Sequence, residues 1–199
     1  VCASRGFDPL EVAAACLRGG ARVLQLRVKE GRGAAFLDLA RAMVRTAAAF
    51  DARIIVNDRA DIARLSGAAG VHVGQEDLGV PEVRAIVGPG GVVGLSTHDP
   101  EQIDAGLASG ATYIAVGPIY TTGTKDTGYT ARGLDLVRVA AGRGVPVVAI
   151  GGITLARAPE VAAAGASGLA VISDLLAGGD VEARVRAFLD TLPARPFKV

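Results

Sequence analysis

The sequence predicts an α/β fold, a (β/α)8 TIM barrel whose first strand is largely missing from the chain, and three observations carry that prediction. Short apolar runs alternate strictly with helical patterns, which means parallel strands joined by helices. Each run is compact and bounded by Gly or polar residues, as buried parallel strands are. Seven such runs stand against eight helical patterns, so an eighth strand is expected before Pro9, where residues 1–4 are too few and too polar to supply it whole. At 199 residues the chain is near the short end of that fold's range. No linker, low-complexity tract or charge block divides it, so one domain over 1–199 is expected. An open doubly wound sheet would want a Gly-rich loop after its first strand, and none is present.

The elements follow in order. Helix 9–18 starts at Asp8-Pro9, an N-cap followed by proline at N1, and stops at Gly19-Gly20. Strand 23–27 and helix 34–50 come next. Strand 53–57 leads into helix 58–66, and strand 70–74 into helix 80–87. Strand 91–95 runs through Asp99-Pro100, a second start signal of the same kind, into helix 100–109, which Gly110 ends. Strand 112–116 precedes the one long connection, 117–132, rich in hydroxyls and carrying a Lys, which suits a loop that folds over a phosphate. Helix 133–141, strand 146–150, helix 155–164 ending at Gly165, strand 168–172 and helix 181–192 complete the series.

Composition narrows the function. Half the residues are hydrophobic but only 4% are aromatic and none is Trp, so the core must be built from Ala, Val, Leu and Ile. Lys plus Arg is 21 against 20 for Asp plus Glu, a net charge of +1. That balance argues against nucleic acid and against a polybasic membrane patch as partners. No secretory signal and no apolar run of about 18 residues is visible, so a cytoplasmic protein is expected. Cys2 and Cys16 form no metal or redox pattern, and Cys16 reads as a core thiol.

The chemistry gathers at strand ends. Asn57-Asp58-Arg59 follows Ile54-Ile55-Val56, and Gly74-Gln75-Glu76-Asp77 follows Val71-His72-Val73. Two carboxylates therefore stand past the ends of successive strands, on the face where parallel α/β proteins bind ligands. Hard oxygen ligands of this kind suit Mg²⁺, which takes one or two carboxylates plus phosphate oxygens. Either Asp alone could instead be a helix N-cap; the pair favours a metal or anion site. Gln25, Arg27 and Lys29 alternate, so in a strand they share one face while Leu24, Leu26 and Val28 take the other. Inward cations near the mouth need an anionic partner; the bland alternative pairs them with nearby carboxylates or with solvent. Gly151-Gly152 and Ile172-Ser173 end the last two strands, where barrels often hold a phosphate on backbone N–H groups. On its own the glycine pair is only a tight turn. Ser96 reads as a hydrogen-bond donor to ligand, because no third group completes a nucleophile with His98. His98 reads as a loop residue and His72 as a structural one.

Six segments in this order resemble the thiamine-phosphate synthase family, over residues 19–173. They are Gln25-Leu26-Arg27-Val28-Lys29, Asn57-Asp58-Arg59, 70–77, Ser96-Thr97-His98, Gly117-Pro118-Ile119-Tyr120 with Thr124-Lys125-Asp126-Thr127, and Gly151-Gly152-Ile153. The resemblance implies a transferase that joins an aminopyrimidine methyl diphosphate to a thiazole phosphate, giving thiamine phosphate and pyrophosphate. It implies Mg²⁺ on Asp58 and Asp77. It implies the pyrimidine diphosphate on Gln25, Arg27, Lys29, Asn57, Ser96 and Lys125, with Arg27, Lys29, Lys125 and Ser96 serving catalysis. It implies the thiazole phosphate on Thr122, Thr124, Gly152, Ile172 and Ser173. The chain departs from the family pattern at Val28, where Glu is common, and in the loop 121–127, one residue shorter and with one Lys where two often occur. Three other readings compete: a thiazole tautomerase-like isomerase on the same scaffold, a sugar-phosphate isomerase or epimerase, and a barrel that only binds a phosphorylated ligand. Homo-oligomer assembly is left open.

Overall fold

Parallel pairing runs unbroken through the sheet: β1 Val23–Leu26, β2 Arg53–Asn57, β3 Gly70–Val73, β4 Val92–Thr97, β5 Tyr113–Val116, β6 Val147–Ile150 and β7 Gly168–Ala170 pair in chain order. The computed structural model describes residues 2, 5–28, 33–123 and 128–192. Helices alternate with the strands: α1 Pro9–Arg18, α2 Gly33–Ala48, α3 Ala60–Ser66, α4 Val80–Val87, α5 Pro100–Ala108, α6 Gly133–Ala140, α7 Ala158–Ala163 and α8 Val181–Leu189.

The predicted start signals act as expected. The Asp8 side chain accepts from the Leu10 N–H and that of Asp99 from the Gln102 N–H, each with proline in the first turn. Alternation along the strands separates two packing layers. Leu26, Ile54, Val56, Val71, Val73, Val93, Ile114, Val116, Val147 and Ala149 form the main core with residues from the helices. Ile55, Val92 and Tyr113, with Val23 and Val148 against them, fill the opposite face. Helices cover only one side, as in a sheet curled toward a barrel.

The two ends of the sheet approach through their helices. Cys16 of α1 packs with Val181 and Val185 of α8 and with Leu176, and Arg18 pairs with Glu182 at 2.8 Å. Strands β7 and β1 do not pair, so among the described residues the sheet has seven strands and the closed (β/α)8 form is not reached. The expected stub before Pro9 is a turn: the Arg5 and Phe7 N–H groups both donate to the Cys2 carbonyl.

Several boundaries move, each for a local reason. Strand β4 extends to Thr97, whose hydroxyl donates to the Ala115 carbonyl. Strand β7 stops at Ala170, leaving Ile172 beyond it. Helix α3 starts at Ala60 rather than at 58, because Asp58 takes φ 63° and so stands outside any helix.

Candidate active site

The residues singled out at the strand ends divide into two groups on one rim. Gln25, Arg27, Asn57, Asp58, Asp77 and Ser96 lie at or just past the ends of β1 to β4. Thr122, Gly152, Ile172 and Ser173 lie past the ends of β5, β6 and β7. Lys29, Thr124 and Lys125 fall outside the described residues.

Neither carboxylate is a helix cap. Asp58 donates its N–H to the His72 carbonyl at 2.8 Å, which ties the end of β2 to β3. The N-cap of α3 is Arg59 and that of α4 is Gly79. The Asp77 carboxylate accepts from the Gly74 N–H at 2.7 Å, closing the turn after β3. Both aspartates are exposed at the rim. Among the described residues no group of three or more His, Cys, Asp or Glu could hold a metal ion. A closed protein cage is therefore absent there, whereas two hard carboxylates on adjacent strand ends fit Mg²⁺ that completes its shell with water and phosphate oxygens.

On β1 the alternation holds. Leu26 is buried under the helices, with Leu24 and Val28 packed against the same core, while Gln25 takes the other face. Arg27 is half-buried, and its buried Nε has no hydrogen-bond partner among the described residues. A buried guanidinium nitrogen without an acceptor is costly unless an anion arrives. That is the fit expected for a phosphate-bearing ligand.

Ser96 is held by contacts that the sequence reading missed. His72 lies across the inner face, its Nδ1 2.9 Å from the Tyr113 hydroxyl and its Nε2 2.9 Å from Ser96 Oγ. Gln25 hydrogen-bonds Tyr113 from β1, and burial pushes the phenol well above its ordinary pKa, so it stays protonated. A hydrogen-bonded chain from Gln25 through Tyr113 and His72 thus reaches Ser96. In the His72 tautomer that carries its proton on Nε2, the ring would donate to Ser96 and leave the Ser96 hydroxyl proton for a ligand. The Gln75 side-chain N–H also donates to the Ser96 carbonyl at 2.5 Å. The signal for Tyr113 was its inward register opposite Gly94. A Cβ on Gly94 would lie 2.5 Å from Tyr113 Cε1 and closer still to Cζ, so glycine leaves the ring its space.

The second group is built from turns. Gly151 and Gly152 take φ 100° and 63°, which glycine allows without strain. The Ile119 and Tyr120 N–H groups donate to the Ile150 and Gly151 carbonyls, binding the long connection to the end of β6. Its far end returns through the Arg132 and Gly133 N–H groups to the Pro118 and Ile119 carbonyls. Tyr129 stacks on His98 at 3.9 Å, and His98 Nδ1 lies 2.5 Å from the Gly117 carbonyl. His98 is thus a loop brace, as expected. Arg5 donates to Ser173 Oγ at 3.3 Å. Asp174, next in the chain, accepts from the Leu155 N–H and from Arg184, joining the β6 and β7 turns.

Comparison with known proteins places the chain in a family. A family model described as thiamine monophosphate synthase matches residues 1–175. The thiamine-phosphate synthase of Anaeromyxobacter dehalogenans is 44% identical over 179 residues, 89% of this chain and 80% of that protein. That of Roseiflexus castenholzii is 40% identical over 187 residues, 94% of this chain and 82% of the other. The solved structure of a thiamine phosphate pyrophosphorylase from Pyrococcus furiosus superposes with a TM-score of 0.87 at 28% identity, covering 94% of this chain and 91% of that one. With the match spanning most of its length, the chain belongs to the thiamine monophosphate synthase family.

Proposed function

We propose that this chain is a thiamine-phosphate synthase. It would couple 4-amino-2-methyl-5-(diphosphooxymethyl)pyrimidine with 4-methyl-5-(2-phosphoethyl)thiazole, or its carboxylated form, to give thiamine phosphate and pyrophosphate. The observation that carries the reading is Arg27, whose buried Nε lacks an acceptor on the same rim as two exposed aspartates. Family membership supports it.

The electron-rich aminopyrimidine can stabilise positive charge on its exocyclic CH₂, so the C–O bond to the diphosphate can break before the new bond forms. The thiazole nitrogen then attacks that carbon, the C–N bond forms, and the electron pair of the broken bond leaves with pyrophosphate. No protein nucleophile is needed. Arg27, with Lys29 and Lys125, stabilises the charge gathering on the leaving group. Asp58 and Asp77 would hold Mg²⁺, which when bound supplies further charge neutralisation to the diphosphate. Ser96, set by His72, and Asn57 and Gln25 orient the pyrimidine. Thr122, Thr124, Gly152, Ile172 and Ser173 seat the thiazole phosphate so that its nitrogen faces the forming cation. A strand lying between β7 and β1 would complete the barrel around these groups.

An isomerase acting on the thiazole alone has no pyrophosphate to expel and leaves Arg27, Asp58 and Asp77 without a task. The deciding experiment supplies both phosphorylated substrates with and without Mg²⁺ and follows pyrophosphate and thiamine phosphate. Metal-dependent release of both is expected. Binding of the substrates with no turnover would overturn the reading.

A further inference from the structure

We propose that Arg157 is a positioning residue for the phosphate end of the thiazole substrate, acting through the Gly152 carbonyl and the Tyr120 ring; this rests on the phosphate site of the reading above. Arg157 lies at the N-cap of α7, where its own side chain makes no cap bond. Its Nη1 donates to the Gly152 carbonyl at 2.9 Å, and its guanidinium lies 4.3 Å from the centroid of the Tyr120 ring. Tyr120 is fixed in turn, its hydroxyl donating to Glu160 at 2.5 Å and its backbone N–H donating to the Gly151 carbonyl at 3.0 Å.

Two consecutive carbonyls are thereby held on the protein side, Gly151 by Tyr120 and Gly152 by Arg157. In a planar trans peptide the N–H points opposite to the C=O. Holding the Gly151 carbonyl therefore sets the direction of the Gly152 N–H, and holding the Gly152 carbonyl sets that of the Ile153 N–H. Each points away from the donor that holds its carbonyl, and neither has a hydrogen-bond partner among the described residues. Successive backbone N–H groups left open in this way can form an anion cradle. Two glycines at positive φ can turn over easily, so the cradle needs something to hold it. A planar fork can both stack and donate, which an ammonium cannot do.

The test is calorimetric titration of the wild type, Arg157→Ala and Arg157→Lys with the thiazole phosphate, the pyrimidine diphosphate and inorganic phosphate, with steady-state kinetics alongside. Thiazole phosphate should bind about tenfold more weakly to both variants, the scale of one net hydrogen bond. Its KM should rise by about the same factor, while kcat and pyrimidine diphosphate binding stay within about twofold. Unchanged thiazole phosphate affinity in Arg157→Ala overturns the proposal. So does full rescue by Lys, which would make Arg157 a simple charge, and so does equal weakening of both substrates, which would mark a general loss of structure. If the wild type makes no thiamine phosphate, the functional reading falls and inorganic phosphate still decides the clamp. Weaker phosphate binding in both variants sustains it, and equal binding ends it.

Discussion

Replacing Gly94 by Ala is expected to destabilise the fold through Tyr113. The new Cβ would lie 2.5 Å from Cε1 of that ring, against about 3.5–4.0 Å for an ordinary carbon contact. The ring must therefore move by about 1 Å or more. It has little room to do so, being 5% exposed and stacked on His72 with centroids 5.6 Å apart. Overpacking of this kind costs about 1–3 kcal/mol. Drawing the hydroxyl away from His72 leaves buried polar atoms unmet, a further cost of about 1–3 kcal/mol. The two together come to about 2–6 kcal/mol, or about 4–24 °C in Tm for a chain of this size. Urea unfolding followed by circular dichroism reads the loss. Gly90→Ala is the control, since nothing lies within 4 Å of an added Cβ there, and it should stay within about 0.5 kcal/mol of wild type. If Gly94→Ala unfolds at the same midpoint as Gly90→Ala, the reasoning about the inner face is wrong.

At the rim, Asp58→Ala should lower kcat for pyrophosphate release by about a hundredfold or more, and a near-normal rate would remove Asp58 from the mechanism. Thorough chelation should abolish turnover and added Mg²⁺ should restore it; activity that survives would favour the sugar-phosphate isomerase reading. Lys125→Ala should show its loss in kcat more than in thiazole phosphate affinity, and the opposite pattern would assign Lys125 to the second substrate. Burial, then the nearby Cys2, pushes the Cys16 thiol up to about 11 from 9.0. Because the folded value is the higher one, its contribution to stability is present in full below about pH 9 and is lost as pH rises through about 11. Iodoacetamide at pH 8 should accordingly label Cys2 well before Cys16, with Cys16 reacting only in urea; equal labelling would contradict its burial.

What the sequence could and could not disclose follows from range. Strand order, the caps at Asp8 and Asp99 and the placing of Gln25 opposite Leu24 and Leu26 on β1 rest on period and neighbours, which a linear reading captures. The departure at Asp58 was hidden because its positive φ goes with a bond to the His72 carbonyl, a residue fourteen positions away in the chain. Tyr113 went unremarked because it occupies an apolar run. Only its register opposite Gly94 brings its hydroxyl to His72 and so to Ser96. Arg157 stands in an ordinary loop-to-helix junction, and nothing local connects it to a ring on the preceding loop. The end of β7 moved for the opposite reason, an apolar spelling through 172 that the backbone does not follow.

The meeting of α1 with α8 also bears on how the molecule forms. Arg18 and Glu182 stand 164 positions apart, so loop-closure entropy favours forming their junction late. A seam that closes late would contribute less to the folding barrier than to the barrier against opening. Substitutions there, such as Glu182→Gln, should hasten unfolding while leaving the refolding rate almost untouched.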